Sequence, residues 1–215
     1  MSAPVGLVLA SASPARAATL RSAGVDPHIS PTNVDEDATL ASLPADSSPA
    51  HQVSALARAK AQAWDPQLAP EGWGRFLVVG CDSMLQFGEE MLGKPHVPEV
   101  AAQRIRQLSG QDAVLWSGHH VQLWEGGELV GEATGAEPTT VHFDTLSDAE
   151  IDAYVSTGEP LEVAGSFTID GLGGPFIRGV TGDPHSVVGI SLPLLRHLAA
   201  DLGVFWPDLW DGSRP

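Results

Sequence analysis

The residue that could do the most chemistry is Asp82, which directly follows the apolar run Phe76-Leu77-Val78-Val79-Gly80-Cys81. A carboxylate at the C-terminal end of a buried strand stands where open α/β sheets place their ligand crevices. Burial would raise its pKa, and a metal or a lysine would lower it. Such a group can hold Mg²⁺ or take a proton from water; it would equally suit an Asx turn that ends the strand. Glu36 lies in the acidic cluster Asn33-Val34-Asp35-Glu36-Asp37. Mg²⁺ commonly takes one or two carboxylates and completes its shell with water and substrate phosphate. A solvated acidic loop would read the same way.

The chain has only two lysines, Lys60 and Lys94. Gly93 before Lys94 and Pro95 after it constrain the backbone and expose the ammonium, which suits a point charge aimed at phosphate. Two isolated surface lysines are the plainer alternative. The segment Ser11-Ala12-Ser13-Pro14-Ala15-Arg16 puts two hydroxyls and a guanidinium at a strand-to-helix junction. Free N–H groups and the positive end of a helix dipole favour an anion there, although an ordinary capped helix needs the same residues.

The elements that must position these groups follow from pattern. Residues 5–10 form a short apolar strand, suited to burial on both faces. Ser13 is a good N-cap, Pro14 fits the first helical position, and Gly24 stops the helix. Residues 32–49, rich in Asp, Ser and Pro, read as a loop. A helix is expected over 51–64, a strand over 76–81, a hairpin over 84–92 around Gly88-Glu89-Glu90, and a helix over 98–108. Strands follow at 113–124, 128–133 and 139–143, the first two joined at Gly126-Gly127. Ser147-Asp148-Ala149-Glu150 is a capping box, and Thr157-Gly158 ends that helix. Residues 163–182 read as short strands and tight turns, and Ser191-Leu192-Pro193 opens a last helix. The tail beyond Gly203, with Trp206 and Trp210, reads as packing on the surface or on a partner. The class is α/β with a mixed sheet, because strands first alternate with helices and then run as a meander.

Bulk properties narrow the function. The 215 residues suit a single domain, and 43% hydrophobic against 18% charged residues mark a globular chain. The formal net charge of −16 argues against nucleic acid as a partner. With one cysteine, Cys81, no internal disulfide forms, and a reducing compartment is expected. No apolar run approaches the roughly 18 residues of a membrane span, and no basic flank marks a signal peptide, so a soluble cytoplasmic protein is expected. The phosphate-loop, dinucleotide and nucleophile-elbow signatures are absent. The eight histidines, including His119-His120, show no zinc spacing.

In order, the motifs are Leu9-Ala10-Ser11-Ala12-Ser13-Pro14-Ala15-Arg16, Val34-Asp35-Glu36, Ala57-Arg58-Ala59-Lys60-Ala61, Cys81-Asp82-Ser83 and Gly93-Lys94-Pro95. They continue through Thr140-Val141-His142-Phe143, Tyr154-Val155-Ser156-Thr157-Gly158-Glu159-Pro160, Ala164-Gly165, Gly182-Asp183 and Val187-Val188-Gly189-Ile190-Ser191-Leu192-Pro193. This ordered set resembles the Maf family of nucleoside triphosphate pyrophosphatases, with the flavour of its actinobacterial branch. The resemblance implies an inosine-triphosphate-pyrophosphatase-like fold, with a mixed twisted sheet, flanking helices and two lobes around a central cleft. It implies hydrolysis of a nucleoside triphosphate to monophosphate and pyrophosphate with a divalent metal, Mg²⁺ or Mn²⁺, and a role in clearing non-canonical nucleotides. Asp82 then stands at the catalytic base and Glu36 with Asp82 at the metal. Ser11, Ser13, Arg16, Lys60, Lys94, Ser83 and Asp170 stand at substrate-binding positions. By analogy of fold, a homodimer is expected. The pattern departs in three ways. Ala15 stands where an Arg is usual and Val163 where a Lys is usual, and the trio Ala15, Ser83 and Asp170 matches neither the dTTP/UTP-like nor the 7-methyl-GTP-like subtype. Asp170 leans toward a base that offers an amine. The alternative is a non-catalytic nucleotide-binding regulator of cell division and septum formation.

Overall fold

The computed structural model describes residues 5–210. In chain order its strands and helices are β1 (Gly6–Leu9), α1 (Pro14–Ser22), β2 (His28–Ile29), α2 (Glu36–Ala41), α3 (Pro49–Gln62), β3 (Arg75–Phe87), β4 (Glu90–Leu92) and α4 (Pro98–Leu108). Then come β5 (Asp112–Glu125), β6 (Glu128–Phe143), α5 (Asp148–Ser156), β7 (Ile177–Thr181), α6 (Pro184–Val188) and α7 (Leu192–Asp201), with short 3₁₀ turns between. The strands form one mixed sheet in the order β2-β1-β3-β5-β6-β7, with β4 paired to β3. β1 runs parallel to β2 and β3, and the other pairings are antiparallel.

The pleat of β3 divides the core. Leu77, Val79 and Cys81 face Leu20 of α1 and Leu195 and Leu198 of α7. Phe76 and Val78 face Ala61 and the nearby Trp64, and Met84 packs with Val53 and Leu56 of α3. Farther along, Leu85 joins Leu115, Val141, Phe143 and Phe167 in a third cluster. Two glycines let α3 sink onto its face of the sheet. A Cβ on Gly80 would lie 2.1 Å from the Ala57 carbonyl oxygen, and one on Gly118 2.2 Å from that of Val53.

Several local expectations hold. Ser13 caps α1 by accepting from the Arg16 N–H, and Pro14 opens the helix. The capping box of Ser147 and Glu150 is complete at α5. Four expectations are corrected. Residues 32–49 are not wholly a loop, because Asp35 caps the two-turn helix α2 through the Ala38 N–H at 2.9 Å. The strand expected to stop before Asp82 continues to Phe87, since Asp82 and Ser83 find side-chain partners within the sheet's flanks. The strands expected at 128–133 and 139–143 are one strand, β6. Gly131 and Gly135 inside it make room for Leu202 and Leu194. The tail folds back on its own chain: Leu209 joins the core and the Asp208 carbonyl accepts from the Val5 N–H at 3.0 Å; residues 211–215 lie outside the described residues. Among the described residues no helix is long and apolar enough to cross a membrane.

Candidate active site

The site begins where the sheet loses a neighbour. β1 leaves β3 after the Leu9–Val79 pair, and β4 takes up pairing only at Leu85. Asp82 and Ser83 lie in the stretch between, with β5 on the other side. Neighbouring positions of a strand point to opposite faces, so Asp82 turns toward α3 while Cys81 and Ser83 turn toward α1 and α6.

On the α3 face, Asp82 is buried. Lys60 reaches it from the last turn of α3, with Nζ 2.5 Å from Asp82 Oδ1. The same ammonium lies 2.7 Å from Oε1 of Glu36, the first residue of α2. Thr32 Oγ1 donates to the Lys60 carbonyl at 3.0 Å and ties the preceding loop to the end of α3. Burial pushes the Asp82 carboxyl above the ordinary carboxylate range, while the charge and hydrogen bond of Lys60, and the charge of Arg16, work against that rise. The result is a proton acceptor stronger than an exposed aspartate and still held by a cation.

On the opposite face, Arg16 organises a second cluster. Its Nε donates to the Gly189 carbonyl at 2.8 Å. Its Nη1 donates to Ser11 Oγ and to the Cys81 carbonyl, both at 3.0 Å, and its Nη2 to Ser83 Oγ at 3.3 Å. A guanidinium has five N–H donors, so most of this one is spent on holding α1, β3 and the α6–α7 junction together. Ser11 Oγ also accepts from the Ser13 N–H at 3.3 Å. Behind Ser83 runs a buried chain: its hydroxyl lies 2.7 Å from Ser117 Oγ, which donates to the Ser186 carbonyl at 2.8 Å. His119 lies beneath. Its Nε2 accepts from the Ser191 N–H at 2.9 Å, which leaves Nδ1 to donate to the Ser117 carbonyl at 3.2 Å. Burial, reinforced by the Arg16 charge, pushes its pKa down to about 4, so it is neutral near pH 7.

The structure thus joins Glu36, Lys60 and Asp82 in one group and Ser11, Ser13, Arg16 and Ser83 in another, on the two sides of the same stretch of β3. It does not join Lys94 or Asp170 to either by a contact among the described residues; both are exposed. Lys94 follows β4, which runs antiparallel to β3, so the chain carries it back past the Ser83 end of the gap. The Gly93 carbonyl is held by Arg104 Nη1 at 2.9 Å and by the Gly165 N–H at 3.3 Å. Sequence reasoning missed Ser117, Ser186 and the glycines Gly80 and Gly118. A glycine inside an apolar strand signals close backbone approach, and Gly80 carried that signal.

A divalent cation fits the donor set by its chemistry. Glu36 and Asp82 offer hard carboxylate oxygens that already converge on one ammonium. No group of three or more His, Cys, Asp or Glu suited to a metal occurs among the described residues. The protein would therefore supply two oxygens, and water or a phosphate-bearing ligand the rest, which is the usual pattern for Mg²⁺.

Comparison with known proteins identifies the family of the chain. The model of the Maf-like protein family matches residues 6–202. A protein of Nocardia farcinica named nucleoside triphosphate pyrophosphatase is 54% identical over 95% of this chain and 96% of its own length. Proteins of the same name from Rhodococcus opacus and Saccharopolyspora erythraea are 51% and 52% identical, each covering 96% of the relative. With a match of that extent, the chain belongs to the Maf family.

Proposed function

We propose that this chain hydrolyses nucleoside triphosphates to the monophosphate and pyrophosphate, and that Asp82 is the general base. The observation that carries the reading is the placement of Lys60 between Asp82 and Glu36, at 2.5 and 2.7 Å. Cleaving a phosphoanhydride requires a positioned water and neutralised phosphate charge, with little covalent work by the protein. Asp82 is buried, and burial raises its proton affinity toward the working pH, where general-base catalysis is most efficient. Lys60 keeps it ionised and aimed. Ser11, Ser13, Lys94 and the N-terminus of α1 receive the phosphate chain, and Arg16 holds Ser11 in place while adding positive charge. Glu36 and Asp82 would hold Mg²⁺ or Mn²⁺, which would neutralise charge on the phosphate oxygens. Asp170, an acceptor when ionised, faces the base and favours one with an amine edge. Clearance of non-canonical nucleotides, a cytoplasmic setting and a homodimer belong to the same reading.

The regulatory alternative rests on Ala15 and Val163. It has no support from the relatives, which bear an enzyme's name, and the Lys60–Asp82–Glu36 group is complete. The test is product analysis across the common and modified nucleoside triphosphates with Mg²⁺ or Mn²⁺. Equal amounts of monophosphate and pyrophosphate are expected; stepwise release of phosphate, or no turnover by folded protein, overturns the proposal.

A further inference from the structure

A half-buried carboxylate, Glu159, lies outside the cluster around Asp82 and has an unusual set of partners. Glu159 Oε1 accepts from Thr168 Oγ1 at 2.5 Å, from the Tyr154 hydroxyl at 3.1 Å and from the Gly173 N–H at 3.1 Å. Oε2 accepts from the Leu172 N–H at 3.0 Å. The Tyr154 oxygen in turn accepts from the Thr168 N–H at 3.2 Å. Residues 168–173 therefore wrap around one carboxylate, as a backbone nest wraps an anion. The glycines are needed for that approach. A Cβ on Gly171 would lie 2.6 Å from Glu159 Oε2, and one on Gly173 2.6 Å from the Tyr154 oxygen. Burial alone would raise the Glu159 pKa, and the hydrogen bonds it accepts outweigh that and hold it below the ordinary range.

The wrapped turn is tied to the strands that border the gap. The chain enters it through Gly165 and Ser166, both in the left-handed region at φ 71° and 64°. That conformation is uncommon for a serine and costs on the order of 1 kcal/mol or more. Gly165 packs against the Leu85 side chain of β3, and its N–H donates to the Gly93 carbonyl beside Lys94. Asp170 is the exposed tip of the turn. One end of the turn is thus fixed to β3 and β4, and the other hangs on Glu159.

We infer that Glu159 is a positioning residue for nucleobase discrimination: its carboxylate fixes the 168–173 turn and thereby the place from which Asp170 meets the base. The inference rests on the proposed pyrophosphatase reading and assigns Glu159 no contact with substrate. It separates base selectivity from the phosphate chemistry, which the Asp82 and Arg16 clusters perform.

The test uses the full chain with Glu159→Gln, which places an amide against the Leu172 and Gly173 N–H groups. Steady-state kinetics are measured with ATP and with UTP, and inorganic tripolyphosphate serves as a competitive inhibitor that carries no base. The wild type is expected to prefer ATP. In Glu159→Gln that preference falls by roughly 5-fold or more through KM, with kcat within about 3-fold and the tripolyphosphate inhibition constant unchanged, as expected for a displaced recognition group. Thr168→Val removes one donor and leaves the carboxylate, so it should move the preference in the same direction by less, and it carries the test if Glu159→Gln fails to fold. An unchanged ATP-to-UTP ratio, or equal losses toward ATP, UTP and tripolyphosphate, overturns the inference. A wild type that turns over neither nucleotide, or that shows no preference between them, overturns the role of Asp170 and with it the inference, whereas the pyrophosphatase reading itself falls only if the whole panel of triphosphates gives no turnover.

Discussion

Gly118 stands directly opposite Asp82 in the β3–β5 ladder, and the Val53 carbonyl of α3 occupies the space where a side chain at Gly118 would begin. The missing Cβ lets the helix backbone rest on the sheet, and that depth sets Lys60 against Asp82. Gly118→Ala should therefore do two things. Overpacking should cost ~1–3 kcal/mol of stability, and displacement of α3 should lower turnover beyond what the stability loss explains. Thermal melting and kcat measured well below the melting temperature separate the two. A variant that melts lower but keeps full turnover would show that α3 depth does not position Lys60.

Asp82 predicts the pH profile. Its carboxyl titrates above the ordinary range, and only the ionised form accepts a proton. Turnover should be present above that pKa and fall away as pH drops through it, with an acidic limb lying higher than an exposed aspartate's ~3.9. The stability sign is the reverse. A folded-state pKa raised above the unfolded value contributes stability below the unfolded pKa, and this is lost as pH rises through the folded one. Asp82→Asn should then melt no lower than the wild type near pH 8.

Lys60→Met tests what holds Asp82 ionised. Removing the ammonium takes away its charge and its hydrogen bond, both of which lower the Asp82 pKa. The acidic limb of kcat should move to higher pH and the maximal rate should fall. An unmoved limb would separate Lys60 from the ionisation of Asp82.

Glu36→Gln should act on metal dependence. Glu36 is half-exposed and is ion-paired to Lys60 at 2.7 Å, so its loss should leave the fold intact. The Mg²⁺ or Mn²⁺ concentration for half-maximal activity should rise ~10-fold or more, at least what outer-shell partners cost metal sites. No change in that midpoint would remove Glu36 from the metal.

Local signals in the sequence carried much of this fold. Ser13, Pro14 and Gly24 bounded α1, and the Ser147–Glu150 box opened α5, because caps act over a few residues. Longer-range features were not legible. Gly135 and Pro138 made β6 look broken. Yet β7 pairs only from Thr140 onward, which leaves Pro138 on the sheet's edge, where proline is tolerated. Asp82-Ser83 looked like a strand terminator because their partners, Lys60, Arg16 and Ser117, come from other elements. The candidate residues could be named from motif resemblance, whereas the use of Arg16 as a staple could not, because its partners Cys81, Ser83 and Gly189 are remote in sequence.

In the proposed mechanism Asp82 drives cleavage of a nucleoside triphosphate to monophosphate and pyrophosphate. The most direct measurement is the rate of pyrophosphate release by wild type and Asp82→Asn, side by side, at saturating substrate and metal with the fold verified. Steady release is expected from the wild type and a loss of ~10²-fold or more in the variant, the scale of general-base catalysis. Turnover near the wild-type rate in folded Asp82→Asn would contradict it.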